Sequence, residues 1–344
     1  MSFAKIRAIP SAEEITQVLM PIPKKLQEIK QKRDEELKSI IEGKSNKLLV
    51  IIGPCSASDE GALCDYVTRL SKLQEEVKDY LFLVPRVYTM KPRTTGAGYK
   101  GMLHQPNPTE APNMVDGLLA VRGMHLKSIA ESGLTAADEM LYTDNLPYFE
   151  DIVSYIAIGA RSVENQQHRL TTSGIDIPVG MKNPTSGNLT VMLNSIQAAQ
   201  SSHNFIYREH EVKTSGNPLA HAILRGYINK HGEEMPNYHY EDLTLALELY
   251  SNRNLQNPAI IVDASHANAR KRFYEQPRIA KEVLYSRRYN DDVRKIVRGL
   301  MIESNIEEGS QPTTGEVYGK SITDPCLGWE DSRKLLHYLA EHLV

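Results

Sequence analysis

Short aliphatic runs alternate with longer helical stretches along this chain from residue 46 onwards, and this rhythm constrains the fold more than any other feature. Runs rich in Val, Ile and Leu are typical of buried strands, and strands separated by helices indicate successive βα units with a parallel sheet. The eight predicted strand regions are LLVIIGPCS (48–56), LFLVPRVY (81–88), LTAADEML (134–141), AIGARS (157–162), PVGMKN (178–183), HNFIYRE (203–209) with a returning AHAILRG (220–226), AIIVDASHAN (259–268) and RGLMIESN (298–305).

Eight βα units favour a closed (β/α)8 TIM barrel, of the α/β class, over a doubly wound sheet. The first run is not followed by the GxGxxG pattern that would indicate a dinucleotide fold. Residues 203–226 predict an irregular sixth strand, in which a β-hairpin interrupted at TSGNP is inserted on the barrel rim.

The first 45 residues differ from the rest because they combine helical periodicity with dense charge. We interpret residues 1–45 as an N-terminal helical arm and residues 46–344 as the catalytic barrel. The arm's apolar stripe either packs on its own barrel or holds a neighbouring subunit. The stripe consists of Leu26, Ile29, Leu37, Ile40 and Ile41.

Bulk composition excludes several classes of protein. A formal net charge of -3 argues against a general nucleic-acid binder, which is normally basic. Three cysteines without a CxxC pair do not form a disulfide scaffold, so we expect a reducing, cytoplasmic location. The N-terminus lacks a signal-like apolar region, and no aliphatic run approaches the roughly 20 residues that span a bilayer.

A side chain able to bind a metal, an anion or a proton stands where each predicted strand stops. In a barrel, the chemistry is built at the carboxyl ends of the strands. Any one of these residues alone could be structural, but their coincidence over eight strands predicts a functional site there. In chain order they are Cys55, Arg86, Glu139, Arg161, Lys182, Arg225, His266 and Glu303.

Four of the potential ligands suit a metal. Cys55, His266 and Glu303, with Asp324 from the segment SITDPC, would converge if the barrel closes. A mixed sulfur, nitrogen and oxygen set favours a divalent transition metal such as Mn, Fe, Co or Zn over Ca or Mg. Cys326 is either a buried bystander or a partner whose oxidation with Cys55 would destroy the site.

A second group is cationic and is densest in VPRVYTMKPRTTGAGYKG (84–101), which contains no acidic residue. Arginine pairs bidentately with phosphate or carboxylate, and six cations exceed what one phosphate requires. They predict at least two anionic groups, hence a substrate with both phosphate and carboxylate or two phosphorylated substrates. A nucleic-acid groove is the competing interpretation, and we disfavour it because few aromatic residues are interleaved. The six cations are Arg86, Lys91, Arg93, Arg161, Lys182 and Arg225.

The order and spacing of eight short motifs resemble those of the type I 3-deoxy-D-arabino-heptulosonate 7-phosphate (DAHP) synthases. The resemblance covers nearly the whole chain from about residue 46. It implies a transferase on a (β/α)8 barrel that condenses phosphoenolpyruvate with erythrose 4-phosphate, releases phosphate, and opens the shikimate pathway of aromatic amino acid biosynthesis. The motifs are IIGPCS, KPRTT, GARSVENQQHR, PVGMKN, HAILRG, DASHAN, MIESN and SITDPCLGW.

The same resemblance implies roles for individual residues. The metal ligands would be Cys55, His266, Glu303 and Asp324. Phosphoenolpyruvate would be held by Arg86, Lys91, Arg161, Lys182 and Arg225, and erythrose 4-phosphate by Arg93 and Thr94. Lys91 would protonate the developing alkoxide, while Glu139 would orient the attacking water, with Lys182 as an intermediary. Members of the family form dimers and tetramers, so a homodimer or homotetramer is expected.

Regulation and substrate choice stay open at this point. An aromatic amino acid effector is known in the family, but the hairpin at 205–214 is shorter than in sensitive members, and Asp176 replaces a small polar residue of their inhibitor pocket. One alternative function is the sister synthase that uses arabinose 5-phosphate. Another is a non-catalytic barrel that senses sugar phosphates.

Overall fold

Eight parallel strands form one sheet in the computed structural model, which describes residues 2–93 and 96–343. Named β1 to β8 in chain order, they are Leu48–Gly53, Leu81–Pro85, Ala137–Glu139, Tyr155–Ile158, Val179–Lys182, Ala220–Leu224, Ile260–Asp263 and Val297–Glu303. Their hydrogen-bonded order is β2-β1-β8-β7-β6-β5-β4-β3. A parallel bridge between Arg86 and Ala137 then joins the two outer strands, so the predicted TIM barrel is confirmed.

Helices surround the barrel and connect most successive strands, whereas a 3₁₀ helix, Thr143–Tyr148, lies between β3 and β4. Asp59 caps one of them, its carboxylate accepting a hydrogen bond from the backbone N–H of Ala62 at 2.7 Å. Within the described ranges, no helix combines the length and apolarity needed to cross a membrane. Named α1 to α9, the helices are Lys24–Ile41, Glu60–Val77, Met114–Ser132, Gln166–Thr172, Leu189–Gln200, Tyr240–Ser251, Gln276–Tyr289, Asp291–Ile296 and Trp329–Glu341.

The strands are buried on both faces, which explains their nearly continuous apolar sequences. In β1, Leu49 and Ile51 belong to the cluster that fills the barrel interior. Their neighbours Val50 and Ile52 belong to the outer cluster between the sheet and the helices. This alternation follows from the two-residue period of a strand. The polar residues predicted to form the site lie beyond this apolar alternation, at the carboxyl ends of the strands.

The arm helix α1 packs part of its apolar stripe against its own barrel, and a contact with a neighbouring subunit stays a prediction. Leu37, Ile40 and Ile41 join the interior cluster and are almost completely buried. The Arg33 guanidinium lies 4.1 Å from the centre of the Phe82 ring. Helix α1 therefore contributes to the barrel core, while the domain division between residues 45 and 46 stays a prediction.

The hairpin predicted at strand six is present, but its pairing differs from the prediction. Asn204–Tyr207 pairs with His210–Lys213 in an antiparallel ribbon before TSGNP. Ala220–Leu224 is the sixth barrel strand, not the returning strand of the hairpin. The turn residues Arg208 and Glu209 have positive φ angles of 50° and 66°. Gly, Asn and Asp are the residues that favour this conformation in a hairpin turn, so an Arg-Glu pair does not predict one. The range 205–214 given from the sequence agrees with the observed ribbon, but no residue type marked the position of its turn.

A buried histidine in β6 predicts acid sensitivity. His221 lies inside the barrel, where Nδ1 contacts the Leu219 carbonyl at 2.8 Å and Nε2 contacts the Tyr155 hydroxyl at 2.8 Å. Burial lowers the pKa of His221 to about 4, so the folded protein resists protonation that the unfolded chain accepts near its ordinary value of about 6.5. Stability is therefore complete above pH 6.5 and declines as the pH falls towards 4.

We expect the free energy of unfolding to fall by about 2 kcal/mol between pH 7.5 and pH 5 because of the lowered pKa of His221, at about 1.4 kcal/mol per pKa unit. Urea unfolding of the wild type and of His221→Asn at the two pH values measures the effect. The variant should show a smaller loss than the wild type, because it carries no titrating ring. Equal losses in the two proteins would assign the acid sensitivity to other groups.

Candidate active site

The strand-end residues predicted from the sequence lie at one end of the barrel, since all eight strands are parallel. Glu139, Lys182 and Glu303 are the last residues of β3, β5 and β8. The remaining five lie one to three residues beyond their strands. Thr94, predicted to hold erythrose 4-phosphate, falls outside the described residues.

Three of the four predicted metal ligands converge closely. One ligand atom from each of Cys55, Glu303 and Asp324 lies within 4.8 Å of the others. His266 stands beside this group, with Nε2 at 3.9 Å from Glu303 Oε1. Glu303 Oε1 is buried and accepts no hydrogen bond of acceptable geometry from the described residues, although Arg86 Nη2 lies 3.0 Å away. A buried, under-satisfied carboxylate among sulfur and oxygen donors fits a divalent transition-metal cation.

A small cavity of about 10 Å³ adjoins this group and is close to the minimum that holds one water-sized particle. Its lining includes His266, Glu303 and Asp324 together with Lys271 and Gln276. Gln276 clamps the backbone of Glu303 through two hydrogen bonds, of 2.8 and 2.9 Å. Lys271 and Gln276 were missed from the sequence because they lie beyond the strand end, in the loop and helix that follow β7.

His266 is held by a carboxylate that sequence reasoning also missed. Its Nδ1 lies 3.0 Å from Asp263 Oδ2 and 2.7 Å from the Ser265 hydroxyl, which donates to Asp263 Oδ1 at 2.6 Å. A proton on Nδ1 satisfies both contacts and leaves the Nε2 lone pair directed away from them. Burial lowers the pKa of His266 despite the attraction of Asp263, which favours the neutral, ligand-competent ring.

Asp263 also binds the end of another strand. Lys182 Nζ donates to its Oδ2 at 3.0 Å, and both side chains are almost completely buried. Although burial alone would raise the pKa of Asp263, His266 and Lys182 hold it well below the usual range. Asp263 is the last residue of β7, but the prediction placed the strand's functional residue at His266. The strand rule itself could have found it.

Two of the predicted cations, Arg86 and Lys91, lie beside the predicted metal ligands. The Arg86 guanidinium stacks at 3.8 Å over the Tyr88 ring and donates to the Pro54 carbonyl. Lys91 Nζ donates to the Cys55 carbonyl at 2.7 Å and lies 3.0 Å from Cys55 Sγ. Burial acts to lower the pKa of Lys91, but the acidic groups around it, with Cys55 the largest contributor and then the carboxylates Glu303 and Glu139, outweigh burial and raise the pKa. Lys91 is therefore a protonated donor.

The other predicted cations are less constrained. Arg161 is exposed and has no ion-pair partner within the described residues. Burial lowers the pKa of Arg225, and the nearby positive charge of Arg161 adds to that effect. Arg93 Nε donates to the Tyr99 carbonyl at 2.8 Å, which fixes the loop that carries it. These cations are available to anionic ligands.

Glu139 is buried at the end of β3, and its carboxylate packs against the next strand end. A Cβ on Gly159 would lie 2.2 Å from Glu139 Oε1, so a larger residue there would force the Glu139 carboxylate to move. The neighbouring Asp138 accepts hydrogen bonds from the Glu139 N–H at 2.7 Å and the Thr89 N–H at 3.0 Å. In the described part of the chain no hydrogen bond joins Glu139 to Lys182, which is paired with Asp263 instead.

Cys326 supports the loop that carries Cys55. The Cys55 backbone N–H donates to Cys326 Sγ at 3.3 Å, and both side chains are fully buried. Burial raises the pKa of both thiols. Whether the two cysteines pair on oxidation stays a prediction.

Comparisons with known proteins agree on one family. Residues 23–337 match the model of the DAHP synthetase I family. A phospho-2-dehydro-3-deoxyheptonate aldolase of Haemophilus influenzae is 38% identical over 96% of this chain and 93% of that protein. The Phe-sensitive and Tyr-sensitive aldolases of Escherichia coli K12 are 42% and 37% identical over 88% and 90% of this chain, covering 85% and 86% of their own lengths. A solved aldolase structure from Francisella tularensis superposes with a TM-score of 0.90 at 30% identity, covering 99% of this chain and 98% of that one.

Proposed function

The chain belongs to the DAHP synthetase I family and has DAHP synthase activity, the first step of the shikimate pathway, and we propose that the side chains at the carboxyl ends of β1 to β8 perform it. The reaction joins C3 of phosphoenolpyruvate to the aldehyde carbon of erythrose 4-phosphate. Water adds at C2, and phosphate leaves. The observation that carries the assignment of residues is the convergence of metal-type ligands and buried cations in one barrel mouth.

Enzymes of this family are typically metal-dependent, and we assign the ion to Cys55, His266, Glu303 and Asp324. Mn, Fe, Co and Zn all suit this donor set. When bound, such an ion supplies Lewis acidity towards the aldehyde oxygen. The close approach of Cys55, Glu303 and Asp324, and the unsatisfied oxygen of Glu303, support the assignment.

We assign phosphoenolpyruvate to Arg86, Lys91, Arg161, Lys182 and Arg225. Its phosphate and carboxylate both need cationic partners, and charge-assisted contacts in a desolvated pocket contribute about 1.5–3 kcal/mol each. Arg86 and Lys182 are already oriented, by Glu303 and Asp263 respectively. Such preorganised cations favour the reaction because they need not reorganise as charge develops.

We assign the binding of the aldehyde substrate to the loop after β2. Arg93, together with Thr94, is assigned to the phosphate of erythrose 4-phosphate. Lys91, held next to Cys55, would donate a proton to the alkoxide oxygen that forms from the aldehyde. The Arg93 contact to Tyr99 supports this assignment because it holds the loop in place.

Glu139 is assigned to the water that attacks C2. Its carboxylate is buried at the end of β3, next to the end of β4 and the loop that carries Arg161. A carboxylate there can accept a proton from water as it adds. Because Lys182 is paired with Asp263, we assign the orientation of this water to Glu139 directly.

Replacing Arg161 by alanine is expected to lower kcat by at least about tenfold, since a positioning cation contributes to the transition state as well as to binding. Steady-state kinetics with phosphoenolpyruvate varied would measure it. Arg333→Ala, an exposed arginine on α9 paired with Glu330, is the matched control and should leave kcat unchanged. A raised KM with an unchanged kcat would refute the positioning role of Arg161.

We also assign an aromatic amino acid effector to a cavity of about 290 Å³ between the hairpin and α4. Its apolar side is formed by Leu146, Ile175 and Phe205, and the charged groups Glu150 and Lys213 could bind an ammonium and a carboxylate. Relatives named for sensitivity to Phe, Tyr and Trp support this assignment.

At least one of Phe, Tyr and Trp is therefore expected to inhibit at millimolar concentration. The variant Glu150→Gln should weaken the inhibition at least tenfold without changing the uninhibited rate, because the carboxylate lies outside the barrel mouth. Rates measured with each amino acid in turn give the answer. Unchanged activity with all three would refute the effector site.

The activity itself is tested by phosphate release from metal-stripped protein supplied with phosphoenolpyruvate and erythrose 4-phosphate, with and without Mn. Release should require both the aldose and the metal. A parallel assay with arabinose 5-phosphate tests the sister reaction, which would release phosphate only there. Binding of sugar phosphate without turnover in either assay would instead indicate a sensing barrel.

A further inference from the structure

A second strongly cationic cavity lies at the end of the barrel opposite the active site. It occupies about 660 Å³ where β1 and β8 begin. Its walls come from the α1–β1 connection, the end of α7, helix α8 and the first residues of β8. Residues before a parallel strand lie at its amino end, so this cavity is remote from Cys55 and Glu303.

The cavity contains more positive charge than its acids neutralise. Six cations line it, against one acid, Asp291. Three of the six have carboxylate partners, since Lys47 pairs with Glu36, Arg294 with Asp291, and Lys295 with Asp292. In the ranges that the structure describes, no carboxylate lies within ion-pair distance of the other three. These three are Arg287, Arg288 and Arg298.

Two of these arginines are built into the wall. Arg287 is only 6% exposed, and its Nε donates to the Val297 carbonyl at 2.9 Å, which leaves its terminal nitrogens for another acceptor. Arg298 Nε is buried without a hydrogen-bond partner among the described residues. Burial, reinforced by Arg298 and Arg294, lowers the pKa of Arg287 to about 10.

Gly43 provides the space for the Arg298 guanidinium. A Cβ at Gly43 would lie 2.2 Å from Arg298 Nη2, and the residue has a φ of +75°, which disfavours other amino acids. A side chain at position 43 would therefore displace this guanidinium from its present position. Burying unpaired guanidinium groups is unfavourable unless an anion accompanies them.

We propose that this cavity, defined by Arg287, Arg288 and Arg298, is a second anion site that binds a small molecule with two or more phosphate charges. Arginine forks match phosphate oxygens bidentately, and three of them suit more than one charge. Among the residues that the structure describes, no aromatic side chain on which a nucleobase could stack lines the cavity. The class of ligand is therefore a compact phosphate compound without a base.

Calorimetric titration with inorganic pyrophosphate tests the site on the full, metal-free chain. We compare the wild type, the double variant Arg288→Gln/Arg298→Gln, the active-site variant Arg161→Ala, and a control, Arg333→Gln/Lys334→Gln, which removes two exposed charges from α9. The double variant keeps Arg287, whose hydrogen bond supports the backbone of β8. Its circular dichroism and its kcat without pyrophosphate should equal those of the wild type.

The wild type should show a binding component that weakens at least tenfold in the Arg288/Arg298 variant and persists in Arg161→Ala and in the α9 control. Loss of that component in Arg161→Ala would place it in the active site and overturn the proposal. An equal weakening in the α9 control would show that the binding depends only on the overall charge of the protein, and would also overturn the proposal. Wild-type binding retained in the Arg288/Arg298 variant, or absent from the wild type, would also overturn it.

Discussion

Replacing Asp263 by asparagine should reduce kcat by about 100-fold or more. The amide keeps the shape of the carboxylate but removes the charge that neutralises Lys182 and fixes the His266 proton. Breaking a buried ion pair by removing one partner costs about 3–5 kcal/mol. Each 1.4 kcal/mol lost from the transition state corresponds to about tenfold in rate, so even part of this cost suffices.

Steady-state kinetics, metal affinity and thermal unfolding should be measured together for Asp263→Asn. A positioning role predicts a lower kcat and weaker metal binding in a protein that still folds. Asp242→Asn is the matched control, since this carboxylate accepts a hydrogen bond from the His239 N–H at the start of α6 and should affect stability alone. A kcat within threefold of the wild type would show that Asp263 serves only the fold.

Replacing Cys55 by alanine should weaken metal binding by at least about 100-fold and leave less than about 1% of the activity at limiting metal. A ligand is expected to matter at least as much as the outer partners of ligands, whose removal costs about 10- to 100-fold in affinity or activity. Cys55 is also the only sulfur donor in the proposed set. Competition with a chelator measures the affinity, and phosphate release measures the activity.

Cys64 offers a matched control within the same chain. It is a buried free cysteine in α2, and its thiol faces Glu131 rather than the barrel mouth. Cys64→Ala should therefore retain both metal affinity and rate, with a modest loss of stability. If Cys55→Ala binds metal as tightly as Cys64→Ala, the assignment of Cys55 as a ligand is wrong.

The barrel and the location of its site could be predicted from the sequence because both follow from local rules. Buried parallel strands have continuous apolar sequences, and the residues that follow them share one end of the barrel. Cys55, Glu303 and Asp324 come from distant segments, yet the closed barrel brings their ligand atoms within 4.8 Å. The strand pattern predicts that the Cys55 and Glu303 segments converge, whereas Asp324 was added as a candidate from the segment SITDPC after β8.

The features that the sequence did not predict depend on which segments lie together in the folded chain. The hairpin turn uses Arg208 and Glu209, whose left-handed backbone only the tertiary structure reveals. Helix α1 was recognised as amphipathic, but its pattern could not identify the barrel interior as the surface it covers. Asp263 was overlooked because a residue inside an apolar run was interpreted as strand rather than as site.

With the roles proposed above, the ion pair between Arg86 and Glu303 is expected to couple substrate binding to metal binding. Arg86 is assigned to phosphoenolpyruvate and Glu303 to the metal, yet their side chains lie 3.0 Å apart. Either ligand changes the charge that the other residue experiences, so each should alter the affinity of the other by the same factor. The affinity for the substrate should therefore depend on whether the metal is bound, and the affinity for the metal on whether the substrate is bound, to the same extent.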